Sequence, residues 1–193
     1  MSLDGCIAGP DDGPGLPLGR GGEALFTWFG AGDAPSRFYP SFRMSAASAA
    51  YFDAFADRIG AVISGRRTYD ISNAWGGDGP LHGVPLFVMT HRPPGQVPSG
   101  ASTYTFVEGD IATVVAQARA VAGDKDVSLM GSATVQQALR QGLLDILAVD
   151  LVPVVLGGGV RLLDGLDAGG LALELLEVVD APGVIHLKYR VVK

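Results

Sequence analysis

The sequence predicts an α/β protein: a mainly parallel central sheet, helices on both faces, and antiparallel strands at the C-terminal end. Two observations carry this expectation. Short apolar, β-branched runs alternate with stretches of helical spacing through the middle of the chain. After Gly157-Gly158-Gly159 the pattern changes to strands alone. Alternating elements followed by strands place a parallel sheet first and an antiparallel edge after it.

The elements follow in order. Met1 to Gly9 opens on a turn signal, Asp4-Gly5, and Pro10 to Gly22 is rich in Gly, Pro and Asp and reads as loop. Leu25-Phe26-Thr27-Trp28-Phe29 interrupts that loop with three aromatics, as expected either of a segment folded over a site or of a plain core filler. Ser45 to Asp57 reads as a helix, with Tyr51, Phe52 and Phe55 at helical spacing and Ser45 or Ser48 able to cap it. Ile59 to Ser64 is a buried strand, with a helix expected from about Thr68. Trp75 to Pro80 breaks that helix, and Pro85 to Thr90 is a second buried strand. Ser102 to Val107 is a third. Asp110 is placed to cap a helix over Ile111 to Ala122, closed by Gly123. Val127 to Met130 is a strand, and Val135 to Gln141 a helix with Gly142 just past its end. Ile146 to Val155 reads as a long strand with Pro153 marking an edge or bulge. Leu171 to Val179 and Val184 to Val192 form a final antiparallel pair, in which His186, Lys188 and Arg190 alternate with apolar residues and so predict a solvated face that includes His186.

Composition narrows the function. The 193 residues fit one domain, residues 1–193, and 48% apolar against 18% charged residues argues for extensive burial. A net charge of −6 excludes broad nucleic-acid binding, which needs a basic face to displace counterions. Cys6 is the lone cysteine, so no intramolecular disulfide forms and a reducing, cytoplasmic setting is expected. No apolar run approaches the length of a membrane span. With three scattered histidines there is no metal-ligand spacing.

The chemistry is expected beyond the carboxyl ends of the parallel strands. Three turns there have the features of an anion site: Gly65-Arg66-Arg67-Thr68, Thr90-His91-Arg92 and Gly131-Ser132-Ala133-Thr134. The third is a small-residue turn opening a helix, which lets an anion approach backbone N–H groups closely. Two cationic clusters beside one neutral helix start suit a ligand with a pyrophosphate and a further phosphate, and NADP fits that description. Neither G-x-G-x-x-G nor the Walker loop is present.

These residues also resemble a family. Ser2-Leu3-Asp4-Gly5-Cys6-Ile7-Ala8-Gly9, Gly65-Arg66-Arg67-Thr68-Tyr69, Gly131 with Gly142-Leu143-Leu144-Asp145, and Val152-Pro153-Val154-Val155-Leu156-Gly157-Gly158-Gly159 match, in order, the bacterial RibD C-terminal reductase branch of the dihydrofolate reductase-like proteins. The resemblance implies a dihydrofolate reductase-like three-layer fold, an NADPH-dependent reductase of a small heterocyclic or carbonyl substrate, and a homodimer. It places Arg66, Arg67, Thr68, Thr90, His91 and Arg92 on the adenosine phosphate and Gly65 in the same turn. Gly131, Ser132, Ala133 and Thr134 would take the pyrophosphate, while Asp4, as catalytic residue, and Trp28 would border nicotinamide and substrate. Three departures stand against the pattern. Only Met1 precedes the Ser-Leu-Asp-Gly opening, so the family's first strand is either shortened or lies upstream. The folate-binding carboxylate falls near Ala49, with Asp53 the nearest acid and so the substrate-binding candidate beside Trp28, a shift that argues against folate. No deaminase domain precedes Met1, which weakens a riboflavin-pathway role without removing it. A 5-amino-6-(5-phosphoribosylamino)uracil reductase step therefore stays open, as does a nucleotide-binding protein without turnover.

Overall fold

The computed structural model describes residues 1–39, 41–166 and 170–193. After β1 (Cys6–Ala8) a 3-10 segment, Gly22–Gly30, crosses to the small hairpin β2 (Ala34–Pro35) and β3 (Arg43–Met44). Ser45 then accepts the Ser48 N–H at 3.1 Å and starts α1 (Ala46–Arg58), so the serine cap read from the sequence is the one used. β4 (Ile59–Gly65) runs directly into α2 (Arg66–Ile71), which begins two residues earlier than expected because Gly65 is extended and ends the strand in a single step. Further on lie β5 (Leu86–Met89) and β6 (Tyr104–Val107). α3 (Ile111–Ala122) has the Asp110 carboxylate accepting Thr113 N–H at 2.9 Å and Gly123 closing it at φ 62°. β7 (Asp126–Met130) leads into α4 (Ser132–Arg140), which starts three residues before the expected Val135. The chain ends with β8 (Ile146–Leu151), the short β9 (Val160–Arg161), β10 (Leu173–Ala181) and β11 (Val184–Val191).

Four strands make the parallel sheet, in the order β6-β5-β4-β7, with Ile63 of β4 opposite Phe87 on one side and Leu129 on the other. Both faces of β4 are covered, and its alternation shows how. Ala61 and Ile63 pack with the Ile111, Val114, Val115, Ala118 and Ala122 stripe of α3, whereas Val62 turns to Tyr69 of α2 and Ala56 of α1.

The C-terminal strands form their own antiparallel ladder, β10-β11-β8, rather than extending the parallel sheet. The edge of β8 is met instead by the N-terminus: Met1 donates to the Asp150 carbonyl and accepts from Val152, and Leu3 donates to Val154. β8 stops at Leu151, short of the expected Val155, because Pro153 has no N–H to offer a ladder. β10 carries a bulge between Leu175 and Glu177. The extra residue keeps Leu173, Leu175 and Val178 on one face, opposite Val191, Tyr189 and Leu187, and Leu175 and Val178 are each more than half exposed.

The solvated face expected of β11 holds for Arg190 but fails at His186, which is fully buried. Strand alternation assigns a side chain to a face. It does not reveal that α1 lies across that face at the His186 end, where the helix touches β10.

Candidate active site

The parallel order β5-β4-β7 sets the three predicted turns side by side at one edge, which is the tertiary fact their sequence positions did not contain. Gly131, at φ 90°, backs directly onto the β4–α2 turn: a Cβ there would stand 2.8 Å from Thr68 Oγ1. The Gly65 Cα likewise faces the methyl of Thr134. The Thr134 hydroxyl is turned inward onto the Met130 and Gly131 carbonyls, so this buried residue shapes the turn rather than facing outward. No side chain caps α4, and its first-turn N–H groups around Ser132 and Ala133 are the donors the helix itself cannot satisfy.

On the other side of β4, Thr90 is buried and its hydroxyl closes the loop by accepting Arg92 N–H at 3.1 Å. Arg66 reaches across to the Arg92 carbonyl and forks onto Asp70 at 2.8 and 2.9 Å. No carboxylate among the described residues pairs with the Arg92 guanidinium, and His91 Nδ1 lies 3.3 Å from Glu108 at an exposed position. A surface cavity of about 380 Å³ adjoins this edge between Tyr69, Asp70, Asn73, Pro94 and Val97. Arg67 points elsewhere. It donates to both the backbone and the carboxylate of Asp12 at 2.7 Å, tying the Pro10–Gly22 loop to α2. The sequence offered no sign of that pair, which spans 55 positions.

The residues expected on the substrate side are engaged in contacts within the chain. Asp4 accepts Leu156 N–H at 3.1 Å and Gly157 N–H at 2.8 Å, and Arg161 donates to its backbone carbonyl. The Ser2 hydroxyl and these amides stabilise the carboxylate and hold it down at about 2. Such a group is ionised at neutral pH, and its hydrogen bonds tie the N-terminal segment to the turn into Gly157-Gly158-Gly159. Trp28 is 3% exposed and packs with Leu25, Met44, Ala49, Val152 and Val184, the core filler rather than the face of a lid. Phe26, two residues before it, is the aromatic of that segment left exposed. Asp53 accepts from Ser36 Oγ at 2.7 Å and from Arg37 Nε at 3.1 Å. Burial works to raise its carboxyl, but these hydrogen bonds outweigh it and leave the group below its ordinary value.

Parallel strands whose carboxyl ends converge on an uncapped helix start and on arginines make an edge chemically able to take an anion. The chain belongs to the RibD C-terminal domain family, whose model matches residues 1–187. No curated protein matches it. Among solved structures it is similar to a provisionally assigned riboflavin biosynthesis protein of Shewanella sp. PV-4, at 22% identity over 100% of this chain and 96% of that one, with TM-score 0.72. A deaminase/5-amino-6-(5-phosphoribosylamino)uracil reductase of Thermotoga maritima aligns at 12% identity and TM-score 0.62, over 100% of this chain and 54% of its own length. The chain thus spans about half of that two-activity protein. A dihydrofolate reductase of Enterococcus faecalis complexed with NADP(H) matches at 14% identity and TM-score 0.52, over 84% of this chain and 90% of that one. Identities this low speak to the fold, and they bear out the dihydrofolate reductase-like architecture.

Proposed function

We propose that the chain is an NADPH-dependent reductase acting on a small heterocycle, with 5-amino-6-(5-phosphoribosylamino)uracil as its first candidate substrate. The observation that carries the reading is the convergence of the β4–α2, β5 and β7–α4 turns on one edge, in a member of the RibD C-terminal domain family. The residues present fit the cofactor. Gly131 has no room for a side chain, the α4 amides lack a cap, and Arg92 has no described carboxylate partner. Gly65, Thr68, Gly131, Ser132, Ala133 and Thr134 would border the pyrophosphate, through backbone N–H groups at α4. Arg66, Thr90, His91 and Arg92 would surround the 2′-phosphate end, beside the 380 Å³ cavity.

When bound, the nicotinamide supplies the hydride, and the protein contributes binding, orientation and exclusion of water. Asp4 contributes by shaping the Gly157 turn. The proton that follows the hydride then comes from ordered water or the substrate itself, since Asp4 is held ionised. The Pro10–Gly22 loop, latched by Asp12 to Arg67, and the Gly22–Gly30 segment would enclose the substrate side. No helix among the described residues is long and apolar enough to cross a membrane, and a cytoplasmic enzyme is the setting this chemistry implies.

The decisive experiment follows NADPH oxidation with 5-amino-6-(5-phosphoribosylamino)uracil and a panel of related heterocycles. Turnover with NADPH well above NADH is expected. Tight NADPH binding with no oxidation against any panel member would favour the nucleotide-binding reading instead. The apolar face of Leu173, Leu175, Val178 and Ile185 favours a homodimer through the C-terminal ladder. Light scattering at micromolar concentration should show a dimer that Val178→Asp converts to monomer, and a monomeric parent protein would refute it.

A further inference from the structure

His186 is closed off from solvent, yet both of its ring nitrogens have partners. Nδ1 lies 2.7 Å from Asp150 Oδ1 on β8, and Nε2 lies 3.0 Å from Ser48 Oγ on α1. Ser45 Oγ in turn donates to Ser48 Oγ at 3.1 Å. Each ring nitrogen thus has one hydrogen-bonding partner, a carboxylate on one side and a hydroxyl on the other. The order serine, imidazole, carboxylate has the connectivity of a hydrolytic relay, but Ser48 is 1% exposed within the first turn of α1 and no substrate can reach it. The network therefore holds something in place.

What it holds is visible at the faces of the ring. Tyr51 of α1 stacks on His186 at 4.3 Å, and Trp28 meets it edge-on at 5.1 Å and 78°. Trp28 stacks on Phe29 at 4.0 Å, and Phe29 continues to Phe42 and Phe52. A single imidazole thus joins β8, β11, α1 and the Gly22–Gly30 segment. Its hydrogen bonds fix the ring plane, and the ring plane decides where the indole edge can rest. Phenylalanine would keep the stack but lose both hydrogen bonds to the ring, whereas glutamine would keep a polar group and lose the stack.

We propose that His186 is a positioning residue for the reaction: through Trp28 it fixes the Gly22–Gly30 segment against α1, and so sets the substrate side of the site without touching the cofactor edge. The effect on catalysis rests on the reading that this segment borders the substrate, while the fixing of Trp28 stands on the geometry alone.

The test uses the full chain with Trp75→Phe, which leaves Trp28 as its only tryptophan. His186→Phe, His186→Gln and Asp150→Asn are introduced there, and acrylamide quenching of Trp28, NADPH affinity by calorimetry and steady-state kinetics with 5-amino-6-(5-phosphoribosylamino)uracil are measured. Both His186 variants should expose Trp28 to quencher and raise KM roughly tenfold, with a smaller change in kcat and NADPH affinity kept within about twofold. Asp150→Asn, which leaves Asp150 an acceptor but adds an amide donor, should fall between them and the parent. Unchanged quenching in both His186 variants overturns the proposal, as does an NADPH affinity that falls in step with KM. If His186→Phe does not fold, His186→Gln and Asp150→Asn decide. A parent protein that leaves the uracil compound unreduced refutes that substrate assignment, and quenching then judges the fixing of Trp28 by itself.

Discussion

The two ends of the molecule differ in the polar groups they leave open. At the carboxyl edge of β5-β4-β7, the first-turn amides of α4 have no cap and Arg92 has no described carboxylate partner. On the side of α1, β8 and β11, three polar residues are paired within the chain: Asp4 by the 156–157 amides, Asp53 by Ser36 and Arg37, His186 by Ser48 and Asp150. Unsatisfied donors at a helix start invite an external anion, while a saturated buried network resists change and supports what lies on top of it. The first region is open to a ligand, and the second is held together from within.

The sharpest break of that comparison is Gly131→Val. The residue sits at φ 90° and its Cβ would press on Thr68 Oγ1 at 2.8 Å, so the turn must shift away from the productive geometry. NADPH affinity measured by calorimetry should fall by roughly 100-fold or more, because a displaced backbone cradle cannot be replaced by side chains. Normal affinity in a folded variant would show that the β7–α4 turn is not where the pyrophosphate rests.

Next in size is the pair Arg66→Ala and Arg92→Ala. Charge-assisted hydrogen bonds to a 2′-phosphate predict a loss of roughly 10- to 100-fold for NADPH and almost none for NADH. Equal losses for both cofactors would remove the arginines from the phosphate. Arg67→Ala, by contrast, should spare NADPH affinity and loosen the Pro10–Gly22 loop, since its guanidinium belongs to Asp12.

The smallest catalytic effect is expected at Asp4. An anchor replaced by asparagine keeps one acceptor for two amides, so turnover should fall by less than about tenfold, against roughly 10²–10⁴-fold for a residue acting in proton transfer. The pH dependence separates the two further. The carboxyl lies near 2 when folded and near 3.8 when free, so its contribution to stability is fully present above pH 3.8 and is lost as the pH falls toward 2. Acid unfolding followed by circular dichroism should show that component in the parent and not in Asp4→Asn. Identical acid profiles would end the anchoring assignment.

Much of the fold was legible locally. Asp110, Gly123 and the Ile111–Ala122 stripe specify α3 within a dozen neighbouring residues, and the structure follows them without change. The candidate turns were legible for the same reason: β4–α2 and β7–α4 are each a strand end, a glycine and a helix start in immediate succession, and Thr90-His91-Arg92 directly follows the end of β5. What the sequence alone could not determine is every relation that closes over long separations. The Ser48–His186 bond spans 138 positions and Asp4–Gly157 spans 153, so nothing near either residue announces its partner. Period-two alternation put His186 on the polar face of β11, and only the placement of α1 across that face turned a predicted solvated histidine into the hub of a core. Trp28 and Asp53 follow the same logic: the family resemblance put them beside the substrate, and packing buries both. Local backbone preferences determined the elements and the open edge; burial, which depends on which surfaces meet, decided which polar groups found partners inside the chain.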